Sequence, residues 1–226
     1  MKKSLWIFGG ISLLFITCKH DMIDASVSQT PVPIVNPTSD SVCFTAEVLP
    51  VFQSYCGSKG CHGSGSAEEG VSLETYFNIM KGISPGNPNN SKYFREITKG
   101  SMPPKNSPQL SSTQIAVLQK WINQGAKNTT CVSACDTSKF TYTNAIQSLL
   151  ATNCNGCHGS MPGSGGVYLG TLTAAQNYIN ANKALFLNAI NHSATLPAPQ
   201  RMPPAAKMSD CQVQQLTKWI NANMPN

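Results

Sequence analysis

Cys154-Asn155-Gly156-Cys157-His158 sets two thiols three positions apart with an imidazole directly after the second. Thiols at this separation can add to the two vinyl groups of one porphyrin, and the adjacent imidazole then stands under the iron. The motif therefore reads as a covalent attachment site for a c-type haem. A looser copy, Cys56-Gly57-Ser58-Lys59-Gly60-Cys61-His62, places its second cysteine 96 residues earlier and has four residues between its cysteines instead of two. On this reading Cys56, Cys61, Cys154 and Cys157 carry two haem c groups, and His62 and His158 are the proximal ligands. The wider spacing of the first motif leaves alternatives there: attachment through Cys61 only, with Cys56 joining the other cysteines in disulfides, or no first haem.

A second pair of residues suits the far side of the iron. Met102-Pro103-Pro104 and Met202-Pro203-Pro204 each follow a CH motif and precede the last helix of their half. Proline moves the residue before it out of the helical region and fixes its own backbone angle, so each methionine sits on a stiff extended loop. Thioether sulfur is a soft, neutral ligand, and Met/His ligation raises a haem potential. Most methionines only fill space. Recurrence of the tripeptide in both halves assigns Met102 and Met202 as distal ligands. His192, ten residues before Met202, has no counterpart in the first half. It is expected at the surface or at a haem edge, with bis-His ligation of the second haem as the lesser alternative; His20 is expected to be inert.

The elements that must hold these groups repeat with them. Cys43 to Phe52 carries Val48, Leu49 and Phe52 on one helical face, with the helix expected to begin just before Pro50. Tyr142 to Leu150 repeats the pattern with Ile146, Leu149 and Leu150, offset by 98. After each motif the phrase G-V-x-L-x-T recurs, at Gly70 to Thr75 and Gly166 to Thr171, offset by 96. Helical segments are expected around Tyr76 to Lys81 and Ala174 to Asn188. Each half closes on a helix with the same start signal, Ser111-Ser112-Thr113-Gln114 or Ser209-Asp210-Cys211-Gln212, a capping box. Ile115, Leu118, Trp121 and Ile122, or Val213, Leu216, Trp219 and Ile220, then form an apolar stripe, and Gly125 stops the first of these helices. Both tryptophans are expected in the core.

The start of the chain points outward from the cytoplasm. Lys2 and Lys3 precede an apolar run from Leu5 to Thr17, shorter than the ~20 residues a membrane-spanning helix needs. LFITC ends this run in the manner of a lipobox, with Cys18 as the acylated residue, although Thr17 stands where a small Gly or Ala is usual. The expected division is a lipoprotein-type signal peptide over 1–17, a disordered Pro/Ser/Thr-rich tether over 18–42, and two domains over 43–131 and 132–226. The expected location is the cell envelope outside the cytoplasm, on the periplasmic or outer-membrane side, anchored by lipid. In such a compartment Cys43, Cys131, Cys135 and Cys211 form two disulfides, with three possible pairings. Cys43–Cys131 and Cys135–Cys211 are favoured because each brackets one repeat.

The formal net charge is +6. Loss of Lys2 and Lys3 leaves 14 basic against 10 acidic residues, and four haem propionates bring the balance near zero. With no cluster of Lys or Arg, a nucleic-acid partner is not expected.

An amphipathic helix, CxxCH, a Met-Pro-Pro loop and a closing helix with a Trp-Ile pair together resemble the class I cytochrome c family. LPVFQSYCGSKGCHG is similar to the small tandem cytochrome c domains of planctomycete and Bacteroidetes exported proteins. The resemblance covers roughly residues 43 to 126 and 135 to 226. It implies an all-α fold of two tandem cytochrome c-like helical domains, each around one covalently bound haem. It also implies a dihaem electron carrier serving redox partner proteins, with His62 and His158 proximal and Met102 and Met202 distal. The alternatives are a dihaem cytochrome c peroxidase-like enzyme, which needs an open distal side, and a haem-based sensor or zinc-binding module.

Overall fold

In both halves an aromatic residue near the start of the first helix packs against the tryptophan of the last. The Phe44 and Trp121 rings lie 5.5 Å apart at 32°, and those of Tyr142 and Trp219 lie 6.1 Å apart at 33°. Each buried indole also needs a hydrogen-bond acceptor. Trp121 Nε1 donates to the Lys127 carbonyl at 3.0 Å and Trp219 Nε1 to that of Pro225 at 2.9 Å. Side-chain packing and its polar tie thus recur with the sequence offset.

The computed structural model describes residues 40–57, 61–63, 67–131 and 136–226. The signal peptide, Cys18, most of the tether, the residues between the cysteines from 58 to 60, and Cys135 lie outside them. All the described residues belong to one compact unit, Val32–Asn226. The first half contains α1 (Leu49–Tyr55), α2 (Tyr76–Met80), α3 (Lys92–Thr98) and α4 (Ser112–Asn123). The second contains α5 (Gln147–Asn153), α6 (Asn155–His158), α7 (Leu172–Ile190) and α8 (Asp210–Asn221). The fold is all-α, with no strand among the described residues. No described helix is long and apolar enough to cross a membrane.

Each half has its own apolar core. Val48, Phe52, Ile79, Leu118 and Trp121 belong to the first, and Ile146, Leu150, Ile179, Leu216 and Trp219 to the second. Removing these surfaces from water drives the folding of each half, at ~25 cal/mol per Å² of apolar area. The closing helices begin as their sequences indicate: Ser111 and Gln114 satisfy each other's terminal amides, and so do Ser209 and Gln212. Both helices end in the same left-handed turn, at Gly125 and Ala126 and again at Asn223 and Met224. There the Ala126 amide reaches the Trp121 carbonyl at 2.9 Å and the Met224 amide that of Trp219 at 2.8 Å, satisfying carbonyls that the helix itself cannot.

Two local features differ from the sequence-based expectation, the start of the first helix in each half and α3, whereas the favoured Cys43–Cys131 pairing is present. Helical structure begins at Phe44, well before Pro50, because a π-helical turn over Phe44–Val48 runs directly into α1. The second half has the same turn over Tyr142–Ile146 with no proline nearby, so proline is not its cause. Helix α3 was not marked by any periodic run in the sequence. Cys43 and Cys131 are joined in a disulfide that spans 88 residues, with Cα atoms 5.9 Å apart. Cys211 is disulfide-bonded as well.

Candidate functional site

Helices α1 and α5 both end at the first cysteine of a motif: the amide of Cys56 bonds to Phe52 O and that of Cys154 to Leu150 O, each at 2.9 Å. The chain then folds back so that the histidine amide meets the first cysteine's carbonyl, His62 to Cys56 and His158 to Cys154, again at 2.9 Å. The same closing bond is present in both motifs, although the first has two more residues between its cysteines.

The G-V-x-L phrase holds each imidazole. His62 Nδ1 lies 3.1 Å from the Val71 carbonyl, and His158 Nδ1 lies 3.1 Å from that of Val167. Leu73 and Leu169 return the contact with amides to the His62 and His158 carbonyls at 2.9 and 2.8 Å. Gly70 and Gly166 make the preceding turn at φ of +72° and +75°, a region side chains rarely adopt. A carbonyl on Nδ1 fixes the tautomer and ring orientation and leaves ligation to Nε2. Burial lowers the His158 pKa below the usual histidine value, against the carbonyls of Val167 and Ser164, which favours the neutral imidazole a metal requires. The phrase was visible in the sequence as a repeat. Its role was not, because the acting group is a backbone carbonyl.

Among the described cysteines, Cys56, Cys61, Cys154 and Cys157 are free, whereas Cys43, Cys131 and Cys211 are oxidised. Burial, with a contribution from Cys61, pushes the Cys56 thiol up to about 12; burial and Cys157 do the same to Cys154, also to about 12. Cys157 is raised too, first by burial and then by Cys61 of the other motif. Protonated thiols exchange slowly with disulfides, so Cys56, Cys154 and Cys157 remain available for attachment.

Each methionine loop hangs from the helix before it. The Met102 amide bonds to the Glu96 carbonyl of α3 at 3.1 Å, and the Met202 amide to that of Ala189 in α7 at 3.0 Å. Met202 lines one cavity of about 1550 Å³ together with Cys154, Cys157 and His158, so the second set of candidate ligands converges. Phe186, Ile190, Pro203 and Met208 give this cavity apolar walls. Met102 is 41% exposed and stands outside it. His192 bonds through Nε2 to the Pro203 carbonyl at 3.0 Å, so it buttresses the Met202 loop.

Reduced thiols, oriented imidazoles and an apolar cavity with a thioether on its wall are a donor set that fits haem c. Zinc is poorly served, since no three of His, Cys, Asp and Glu gather at one point among the described residues. These features define a helical protein with two CH motifs whose donors suit haem. Residues 59–106 match the family model described as Planctomycete cytochrome C, and residues 143–220 match that described as Cytochrome C oxidase, cbb3-type, subunit III. The chain belongs to the cytochrome c family, and its domains are those of a haem-based electron-transfer protein. No curated protein and no solved structure gives a significant match.

Proposed function

We propose that the chain is a dihaem c-type cytochrome that carries single electrons between redox partner proteins at the cell envelope, held to a membrane by a lipid on Cys18. Haem c supplies the one-electron ferric/ferrous couple. Cys56 with Cys61, and Cys154 with Cys157, would hold the two groups; His62 and His158 would supply nitrogen through Nε2, and Met102 and Met202 would supply thioether sulfur. The observation that carries this reading is duplication at the level of atoms. Both imidazoles meet the carbonyl nine residues onward at the same 3.1 Å, beside thiols left free in a chain whose other described cysteines are oxidised. An electron carrier fits better than an enzyme because both halves offer a methionine loop, and the histidine beside the second, His192, is engaged by the Pro203 carbonyl.

The test is protein made with a cytochrome c maturation system. Its mass is expected to show two haem additions together with acyl chains on Cys18. Met202→Ala is expected to lower the potential of one centre and shift its ferric spectrum toward high spin, since neutral thioether ligation raises the potential. A spectrum and potential unchanged in both Met102→Ala and Met202→Ala rule out methionine ligation, and a single haem addition rules out the dihaem reading.

A further inference from the structure

The ends of α1 and α5, where the two motifs begin, are packed against each other. Ser54 Oγ accepts the Gly156 amide at 3.1 Å, and the Ser54 carbonyl lies 3.5 Å from Cys157 Sγ. A carbonyl in the last turn of α5, Ala151 O, accepts both Tyr55 Oη at 3.0 Å and Gln114 Nε2 at 3.2 Å from the first half. Last-turn carbonyls have no partner within their own helix, so the first half finishes a helix of the second. Gly156 permits the approach, because a Cβ there would lie 2.1 Å from the Ser54 carbonyl oxygen. Attachment chemistry makes no demand on this position, whose only task in the motif is to span the cysteines. The second half's cavity is also walled by Ala46, Leu49 and Pro50 of the first half and by both cysteines of the Cys43–Cys131 disulfide.

We propose that this seam locks the two attachment motifs into one unit, in which the first half completes the second haem's pocket and Ser54 links the two sites for electron exchange. The proposal rests on the dihaem reading. From Cys157 Sγ, one contact of 3.5 Å reaches the Ser54 carbonyl, and the chain then runs through Tyr55 to Cys56. An electron crossing this route oxidises one iron and reduces the other, with no proton moved and no co-reactant consumed.

Hydrogen exchange on the haem-loaded full chain tests the seam, and mass counts the haems in the same samples. Gly156→Ala is expected to exchange at least tenfold faster across 54–56 and 151–157, while the Leu169 amide, bonded within the second half, keeps its protection. Ser54→Ala and Tyr55→Phe, which remove one bond each without inserting an atom, are expected to raise exchange in the same segments by a smaller factor. Pulsed EPR is expected to give one narrow iron–iron distance in the unmodified protein and a broadened one in Gly156→Ala. Unchanged exchange in all three variants, or a broad distance distribution in the unmodified protein, overturns the seam. One haem by mass overturns the dihaem reading alone, since exchange reports the seam whatever the haem count.

Discussion

His192 has the clearest consequence of any single side chain. Its bond to the Pro203 carbonyl and the Met202 amide's bond to Ala189 hold the methionine loop at two points on the end of α7. His192→Ala removes one of them, and a hydrogen bond of this kind contributes about 1 kcal/mol net. The variant is therefore expected to unfold about 1 kcal/mol more easily in denaturant titration. It is also expected to bind added imidazole at the second iron more tightly, because a loosened thioether competes less well. Equal imidazole affinity in the two proteins would show that the loop does not depend on His192. At this scale the sequence disclosed candidate ligands and concealed the groups that aim them. CxxCH and Met-Pro-Pro announce themselves by residue type, whereas Val71 and Val167 act through carbonyls that every residue has, and His192 acts through a partner eleven positions away.

Helix ends decide how well these atoms are held. Capping boxes at Ser111 and Ser209 are alike in geometry, but Gln114 also donates across to Ala151 while the Gln212 amide nitrogen makes no such bond. Ser111→Ala and Ser209→Ala should each cost about 1 kcal/mol. Only the first is expected to disturb the other half, seen as faster exchange at the end of α5. Equal effects on α5 would remove Gln114 from that role. The closing helices were legible because capping and an apolar stripe are local codes. The π-helical turns before α1 and α5 were not, since what they serve is tertiary: Phe44 and Tyr142 each meet a tryptophan 77 residues later. Helix α3 escaped notice because its two buried residues, Phe94 and Ile97, are too few to form a period.

Over the whole molecule, covalent closure and the seam act together. A bridge between Cys43 and Cys131 closes a loop of 88 residues, and loop-entropy scaling puts its contribution at about 4.6 kcal/mol. Cys43→Ser is expected to lower the melting temperature markedly, and dithiothreitol should produce much of the same loss in the unmodified protein. A variant that melts at the original temperature would make the bridge incidental. Duplication was plain in the sequence from its offsets of 96 and 98, but the joining of the halves was not, because Gly156 there looks like mere filler between two cysteines. The donors that complete Ala151, Tyr55 and Gln114, both lie in the portion of the chain that leaves the ribosome first. The later portion, expressed alone, would end α5 on an unmet carbonyl, so it depends on the earlier one for a complete fold.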